Sequence, residues 1–352
     1  MRRRSSNRTG RWLWLVCLLV SLLAVAAAFT GLASGPRPDS PLTVAVTPVP
    51  LDPRDPGRDR LGALRFRGGL WLRSVDPRFG GLSDLRISAD GRLLRAVSDC
   101  GRGLTATLSY GPDGRLQGLS EPRMIDLVGP DGQALQLGER DSESLDVHGG
   151  ALEVGFEGKP RIWAYALEPP FAGPAHDVPA PPGLAGCGSN GGIETMAMVD
   201  DSRRLLVCET RRGASLDVPA WIGNGDGWLE RRYPLVFRGG WADEPFRPTG
   251  ATLLPGGDVL VLERRFPPIG SRIVRLARAD LEGRDALHPR EIAAIEAPLT
   301  VDNFEGVDAR EDAAGRTLVY LVSDDNDCAK LPGARRGPAL QRTLLLMFSL
   351  EG

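Results

Sequence analysis

Histidine and lysine are scarce in this chain. Its 352 residues include three histidines, His148, His176 and His288, and two lysines, Lys159 and Lys330. No pair of histidines has metal-ligand spacing, which disfavours a histidine-ligated metal site. A Gly-x-Ser-x-Gly elbow is missing, which argues against a serine nucleophile on an α/β-hydrolase sheet. No Cys-x-x-Cys pair occurs, so thiolate ligation of a metal has no spacing to support it. No stretch supports an amphipathic helix of three turns. From Leu61 onward almost every segment is a short apolar run bounded by Gly, Pro or Asp, the pattern of an all-β protein.

Charge narrows the partners. Five arginines, Arg2, Arg3, Arg4, Arg8 and Arg11, open the chain with no acid among them. Without them 38 bases face 45 acids, a balance of about −7. Phosphate-backbone binding needs a concentrated basic face, so nucleic acid is not an expected partner. Residues 12–35 carry no charge and are rich in Leu, Val and Ala. Behind the arginines they read as a secretory signal peptide or an uncleaved signal anchor, since about 20 apolar residues span a bilayer. Either way the body is exported, periplasmic or extracellular, and meets the membrane only through this segment. In an oxidising compartment Cys100, Cys187, Cys208 and Cys328 permit two disulfides, with all three pairings open.

A short module recurs five times. Its copies open at Gly81-Leu82-Ser83-Asp84, Asp141-Ser142-Glu143-Ser144, Gly192-Ile193-Glu194-Thr195, Arg247-Pro248-Thr249-Gly250 and Asn303-Phe304-Glu305-Gly306. Each runs through alternating apolar residues to a turn, then along a second apolar stretch to an acid: Asp99, Glu157, Glu209, Glu263 or Asp324. The third positions lie 60, 51, 55 and 56 residues apart, room for four strands per repeat. That is the arithmetic of a propeller blade, and such copies must stack to bury their apolar faces. The expected fold is an all-β β-propeller of five to six four-stranded blades. Residues 64–72 are expected to complete the last blade and close the ring. The domains are then 1–35 as signal or anchor, 36–60 as a flexible linker and 61–352 as the propeller.

Topology predicts a site. In a propeller the start of each innermost strand and the end of the second lie on one face. Glu143, Glu194 and Glu305 should point to the axis there, ringed by Asp99, Glu157, Glu209, Glu263 and Asp324. Arg102, Arg211, Arg212, Arg264 and Arg265 follow second strands on the same face. His148 falls at the opposite end, and His176 and His288 lie in Pro-flanked loops, so none receives a role.

Several segments match a known family in order: Gly80-Gly81-Leu82-Ser83, Asp141-Ser142-Glu143, Gly192-Ile193-Glu194, Val259-Leu260-Val261-Leu262-Glu263-Arg264, Asp302-Asn303-Phe304-Glu305-Gly306 and Ser323-Asp324-Asp325-Asn326. The closing Gln341-Arg342-Thr343-Leu344-Leu345-Leu346-Met347-Phe348 matches as well. The chain resembles the phytase-like, or "esterase-like activity of phytase", family of exported bacterial β-propeller proteins. The resemblance implies a propeller and hydrolysis of phosphoesters. It departs from the family where Ser144 and Thr195 replace the usual Gly, and where residues 327–339 read as a Cys-bearing insertion.

Carboxylates aimed into one channel repel one another, so protons or cations must neutralise some of them. A divalent cation is expected, with calcium the natural choice because it takes six to eight oxygens from irregular loops. Glu143, Glu194, Glu305 and Asp324 are the expected ligands, and Glu194, Glu305 and Glu143 the expected acid–base groups. Arg264, Arg265 and Arg211 are the expected substrate clamps. The predicted activity is hydrolysis of a small phosphoester, ester or lactone by a monomer. One alternative is a non-catalytic propeller binding a ligand or protein on the same face. In another, the acids only accept hydrogen bonds from neighbouring-blade amides or pair with the arginines, locking the ring.

Overall fold

The computed structural model describes residues 41–187, 191–210, 215–239, 244–283, 286–330 and 341–351. Three strands come first: β1 (Ala45–Pro48), β2 (Arg60–Leu61) and β3 (Leu64–Arg73). The first sheet is β4 (Leu82–Ile87), β5 (Leu93–Ser98), β6 (Arg102–Tyr110) and β7 (Leu116–Asp126). The second is β8 (Ser142–His148), β9 (Ala151–Phe156), β10 (Arg161–Ala166) and β11 (His176–Val178). The third is β12 (Ile193–Met198), β13 (Arg204–Cys208), β14 (Asp217–Asn224) and β15 (Gly227–Pro234). The fourth is β16 (Arg247–Leu253), β17 (Val259–Arg265), β18 (Gly270–Leu276) and β19 (Arg290–Glu296), with a short helix α1 (Arg278–Glu282) before its last strand. The fifth holds β20 (Asn303–Glu311), β21 (Thr317–Asp324) and β22 (Thr343–Leu350), then β3 and β1. The fold is a five-bladed β-propeller, so the range of five to six blades resolves to five.

The second strands β9, β13, β17 and β21 are nearly continuous apolar runs because neighbouring sheets cover both of their faces. An apolar cluster fills the space between each pair of neighbouring sheets, the fifth and first included. Leu94 and Leu104 of the first sheet meet Tyr320 and Leu345 of the fifth in this way. Each fully buried leucine contributes about 1.5–3 kcal/mol relative to exposure. The turns between first and second strands cap themselves. Asp90, Asp200 and Asp312 each accept a 2.9 Å hydrogen bond from the backbone amide two residues on. Gly91 sits at φ +80 in the first of these turns, where a Cβ would lie 2.3 Å from Arg310 Nη2. Only glycine fits there.

β3 runs antiparallel to β22, with Leu72 opposite Thr343 and Leu64 opposite Leu350. The linker expectation for 36–60 needs correction over its described part. Ala45–Pro48 forms the outer strand of the fifth sheet, Ala45 pairing with Arg73, and Leu51 is fully buried. Proline is tolerated on such an edge, so the segment shows no strand alternation to read. The leader at 1–35 lies outside the described residues. Among the described residues no helix is long and apolar enough to cross a membrane. The disulfides are Cys100–Cys328 and Cys187–Cys208.

The axis is plugged by one side chain. Arg86 of β4 is buried and donates to Asp146 of the second sheet at 3.1 Å, Met196 O of the third at 3.2 Å and Ala251 O of the fourth at 2.9 Å. It also donates to Val307 O of the fifth at 3.2 Å and to Asp84 of its own strand at 3.2 Å. Three buried or half-buried acids then tie adjacent inner strands together. Asp84 accepts from Leu145 N at 2.8 Å, Asp146 from Met198 N at 2.6 Å and Asp308 from Ile87 N at 2.7 Å. These acids accept the neighbouring-blade amides, the first of the two locking roles considered for the bowl acids.

Candidate active site

All five inner hairpins carry a β-bulge at the same place. Pairing shifts between Leu82 and Asp84, Ser142 and Ser144, Ile193 and Thr195, Pro248 and Gly250, and Phe304 and Gly306. The extra residues are Ser83, Glu143, Glu194, Thr249 and Glu305, the third positions of the five modules. A bulge leaves its extra residue unpaired and re-aims its side chain, which lets a buried strand present a carboxylate to the axis.

The bulged glutamates open into a cavity of about 240 Å³ lined by Asp99, Asp141, Glu143, Glu157, Glu194, Glu209, Arg264, Glu305, Asp324 and Asn326. Among the described residues it holds eight carboxylates and one guanidinium. Arg264 Nη2 donates to Glu209 at 3.0 Å and lies 3.5 Å from Glu305, while Nη1 donates to Asn303 Oδ1 at 2.9 Å. Asn303 Nδ2 in turn donates to Glu305 at 2.8 Å and to Asp324 at 3.3 Å. Asp324 also accepts from Asn326 N at 2.7 Å. On the other side of the bowl Asp141, Glu143 and Glu157 bring carboxylate oxygens within 4.8 Å of one another.

This crowding shows in the acidities. Burial first, and then Glu194 and Asp141, hold Glu143 well above the usual carboxylate range. Burial followed by Glu209 does the same to Glu194, and burial followed by Glu305 to Asp99 and Asp324. Burial pushes Glu157 up to about 7, with Asp141 and Glu209 adding to it. Glu305 also reaches about 7, since Arg264 and Asn303 offset only part of the cost of burial. The guanidinium of Arg264 is held more firmly protonated than usual by Glu305 and Glu209, against the effect of burial.

The all-oxygen donor set suits a hard cation of the calcium or magnesium kind. In that sense the Asp141, Glu143 and Glu157 group is a candidate metal-binding site. Asp99 with Cys100 and Cys328 also forms a tight cluster, but its sulfurs are joined as a disulfide and are not free thiolates.

The structure brings Glu143, Glu194, Glu305, Asp324 and Arg264 together as expected from the repeat, and it removes other residues. Glu263 is not in the bowl. It is fully buried in the sheet, where it accepts from Arg272 at 2.5 Å and Tyr233 at 2.7 Å. Pro248 pairs with Glu263 as Leu82 pairs with Ser98, so the counterpart of Asp99 is Arg264, one residue on. A one-residue slip in a strand moves a side chain to the other face. Arg265 consequently points away as well, donating to Glu296 at 2.9 Å with its guanidinium 4.8 Å from the Phe246 ring. Arg102 pairs with Asp126 at 2.9 Å. Arg211 and Arg212 lie outside the described residues. Arg86, which hydrogen-bonds to all five inner strands, was not singled out from the sequence. Its signal is a charged residue two positions after Asp84 inside an otherwise buried strand.

A family model, "Phytase-like: Esterase-like activity of phytase", matches residues 77–327. No curated protein matches the chain. Among solved structures, the chain is similar to an endo-arabinase from Bacteroides thetaiotaomicron, with 9% identity, 76% of this chain and 93% of that one covered, and a TM-score of 0.42. It is also similar to the PQQ-bound aldose sugar dehydrogenase of Streptomyces coelicolor, at 15% identity, 88% and 100% coverage, and a TM-score of 0.36. A gluconolactonase from Xanthomonas campestris gives 11% identity, 90% and 99% coverage, and a TM-score of 0.35. Likeness at this level carries no substrate or mechanism across.

Proposed function

This chain belongs to the phytase-like family, and from that premise we propose that it is a cation-assisted hydrolase of phosphoester or ester substrates. The observation that carries the reading is the imbalance, among the described residues, of eight carboxylates around one guanidinium lining a single cavity. Such a site is relieved at neutral pH by protons or by a bound cation, and a divalent cation neutralises two of its charges at once.

Asp141, Glu143 and Glu157 would hold the cation, with Glu194 beside them, and calcium fits this oxygen-only set. A divalent cation bound there supplies charge to polarise a phosphoryl or carbonyl oxygen and to acidify water. The chain's own residues divide the remaining work. Glu305, titrating at about 7, takes a proton from the attacking water and returns it to the leaving oxygen. Asn303 and Arg264 fix its carboxylate on the side away from the candidate metal group. Arg264, the one positive side chain among the described residues of the cavity wall, also offers its guanidinium to a substrate oxygen. The β3–β22 pairing is, in this reading, the seam that closes the ring, and Cys100–Cys328 spans the same first-to-fifth boundary at the rim. The two disulfides accord with action outside the cytoplasm.

The test is turnover of 4-nitrophenyl phosphate, phytate, 4-nitrophenyl acetate and a δ-lactone by the purified body, with and without a chelator. Turnover that is lost on chelation and restored by calcium supports the reading. No turnover of any of them, with folding and melting temperature unmoved by chelation, removes it.

A further inference from the structure

A second cavity of about 330 Å³ adjoins the bowl and shares Asp99 and Asp141 with it. Its other walls are Leu137, Gly138, Arg140, Gly158 and Cys328, so it is apolar where the bowl is charged. Arg140 contributes its stem as packing: a Cβ on Gly101 would lie 2.9 Å from Arg140 Cβ. The guanidinium Nε is tied back to Leu135 O at 2.8 Å. Leu137 is 68% exposed at this rim, although burying a leucine is favourable by about 1.5–3 kcal/mol. A Cβ on Gly138 would meet nothing within 4 Å, so the cavity is open at that wall.

Leu137 has company. Loops entering inner strands, and loops from second to third strands, all lie at the bowl end of a propeller. Val75, Leu137, Leu216 and Phe266 stand on such loops, and they are four of the six exposed large apolar side chains among the described residues. Of these, Leu137 borders the annex itself, and an apolar lip beside a charged depression suits a partly apolar ligand.

The geometry points to a bipartite substrate. Resting on the hydrolase reading above, the bowl takes the phosphate or ester group, and the annex of Leu137, Gly138, Gly158 and the Cys100–Cys328 disulfide takes an aryl or alkyl moiety attached to it. A fully charged polyphosphate leaves the annex unused. The annex residues are specificity determinants, distinct from the carboxylates that act on the reacting atoms.

Gly138→Leu fills the annex from a position with free space, and Leu137→Ser removes its apolar lip. Melting curves establish that both variants fold. The readout is kcat/KM for 1-naphthyl phosphate and 1-naphthyl acetate against methyl phosphate and methyl acetate, each as a variant-to-wild-type ratio. Gly138→Leu should lower the naphthyl ratios about ten-fold or more and move the methyl ratios less than about two-fold. Equal changes in both series, or none, overturn the annex while leaving the hydrolase reading standing. If the wild type turns over none of the four, the hydrolase reading is decided by its own assay above, and binding of 1-naphthyl phosphate by calorimetry decides the annex. Binding weakened about ten-fold by Gly138→Leu supports it. Unchanged or absent binding overturns it.

Discussion

Arg264 Nη2 lies 3.5 Å from a carboxylate oxygen of Glu305, and this pair joins the fourth blade to the fifth across the bowl. Arg264 is the single guanidinium among the described residues that line the cavity, and it lowers the Glu305 pKa against the pull of burial. Replacing it exposes that balance. In Arg264→Gln, Glu305 should titrate above about 7, so the ascending limb of the kcat/KM pH profile moves to more alkaline pH. Arg264→Lys should keep part of the effect, since a point charge replaces the fork that reaches Glu209 and Asn303 together. A profile unmoved in both variants would detach Glu305 from catalysis.

Glu263 and Glu305 look alike in the repeat and should behave oppositely. Glu305→Gln should cut turnover by about 10²–10⁴ and leave the melting temperature level or higher, because one of eight crowded carboxylates is removed. Glu263→Ala should leave kcat within about two-fold and cost about 3 kcal/mol, since the buried Arg272 and Tyr233 lose their acceptor. Chemical denaturation and steady-state kinetics on the same preparations separate the two.

Stability should fall with rising pH when no cation is supplied. Glu157 and Glu305 titrate near 7 in the folded protein, above the 4.5 usual for a glutamate. For carboxylates raised in this way the native state holds protons that the unfolded chain releases. Their contribution is present below about pH 4.5 and is lost as pH climbs through about 7. A chelated sample should melt about 5 °C or more lower at pH 8 than at pH 5, and millimolar calcium at pH 8 should recover most of that loss. Melting temperatures that are flat across this range, with and without calcium, would show that the bowl carries no unbalanced charge.

Arg86→Met should be among the most damaging single changes in the chain. It strands Asp84, Asp146 and Asp308 and four carbonyl acceptors at the axis. The expected cost is about 3–5 kcal/mol, measured by urea unfolding. Arg86→Lys should rescue little, because an ammonium offers three donors and cannot span all five blades. The Arg86→Met, Asp84→Leu double variant should regain part of the loss, since removing both partners spares one buried, unpaired carboxylate.

The amino-acid order alone determined the class of fold. Apolar alternation broken by turn residues, repeated at nearly constant spacing, admits stacked four-stranded sheets and little else, because copies of one unit bury their faces only against each other. It also determined that Glu143, Glu194 and Glu305 share an end of the ring, since equivalent positions in a repeat become equivalent positions around an axis. What lay beyond it were facts of single-residue register and of contact between distant segments. Glu263 and Arg264 are neighbours in the chain, and which of them enters the bowl was decided by where the bulge falls in the fourth blade. The role of Arg86 was decided by five strands meeting at one point. The pairing of Cys100 with Cys328 was decided by the approach of the first and last blades, and no local pattern in the chain carries that information.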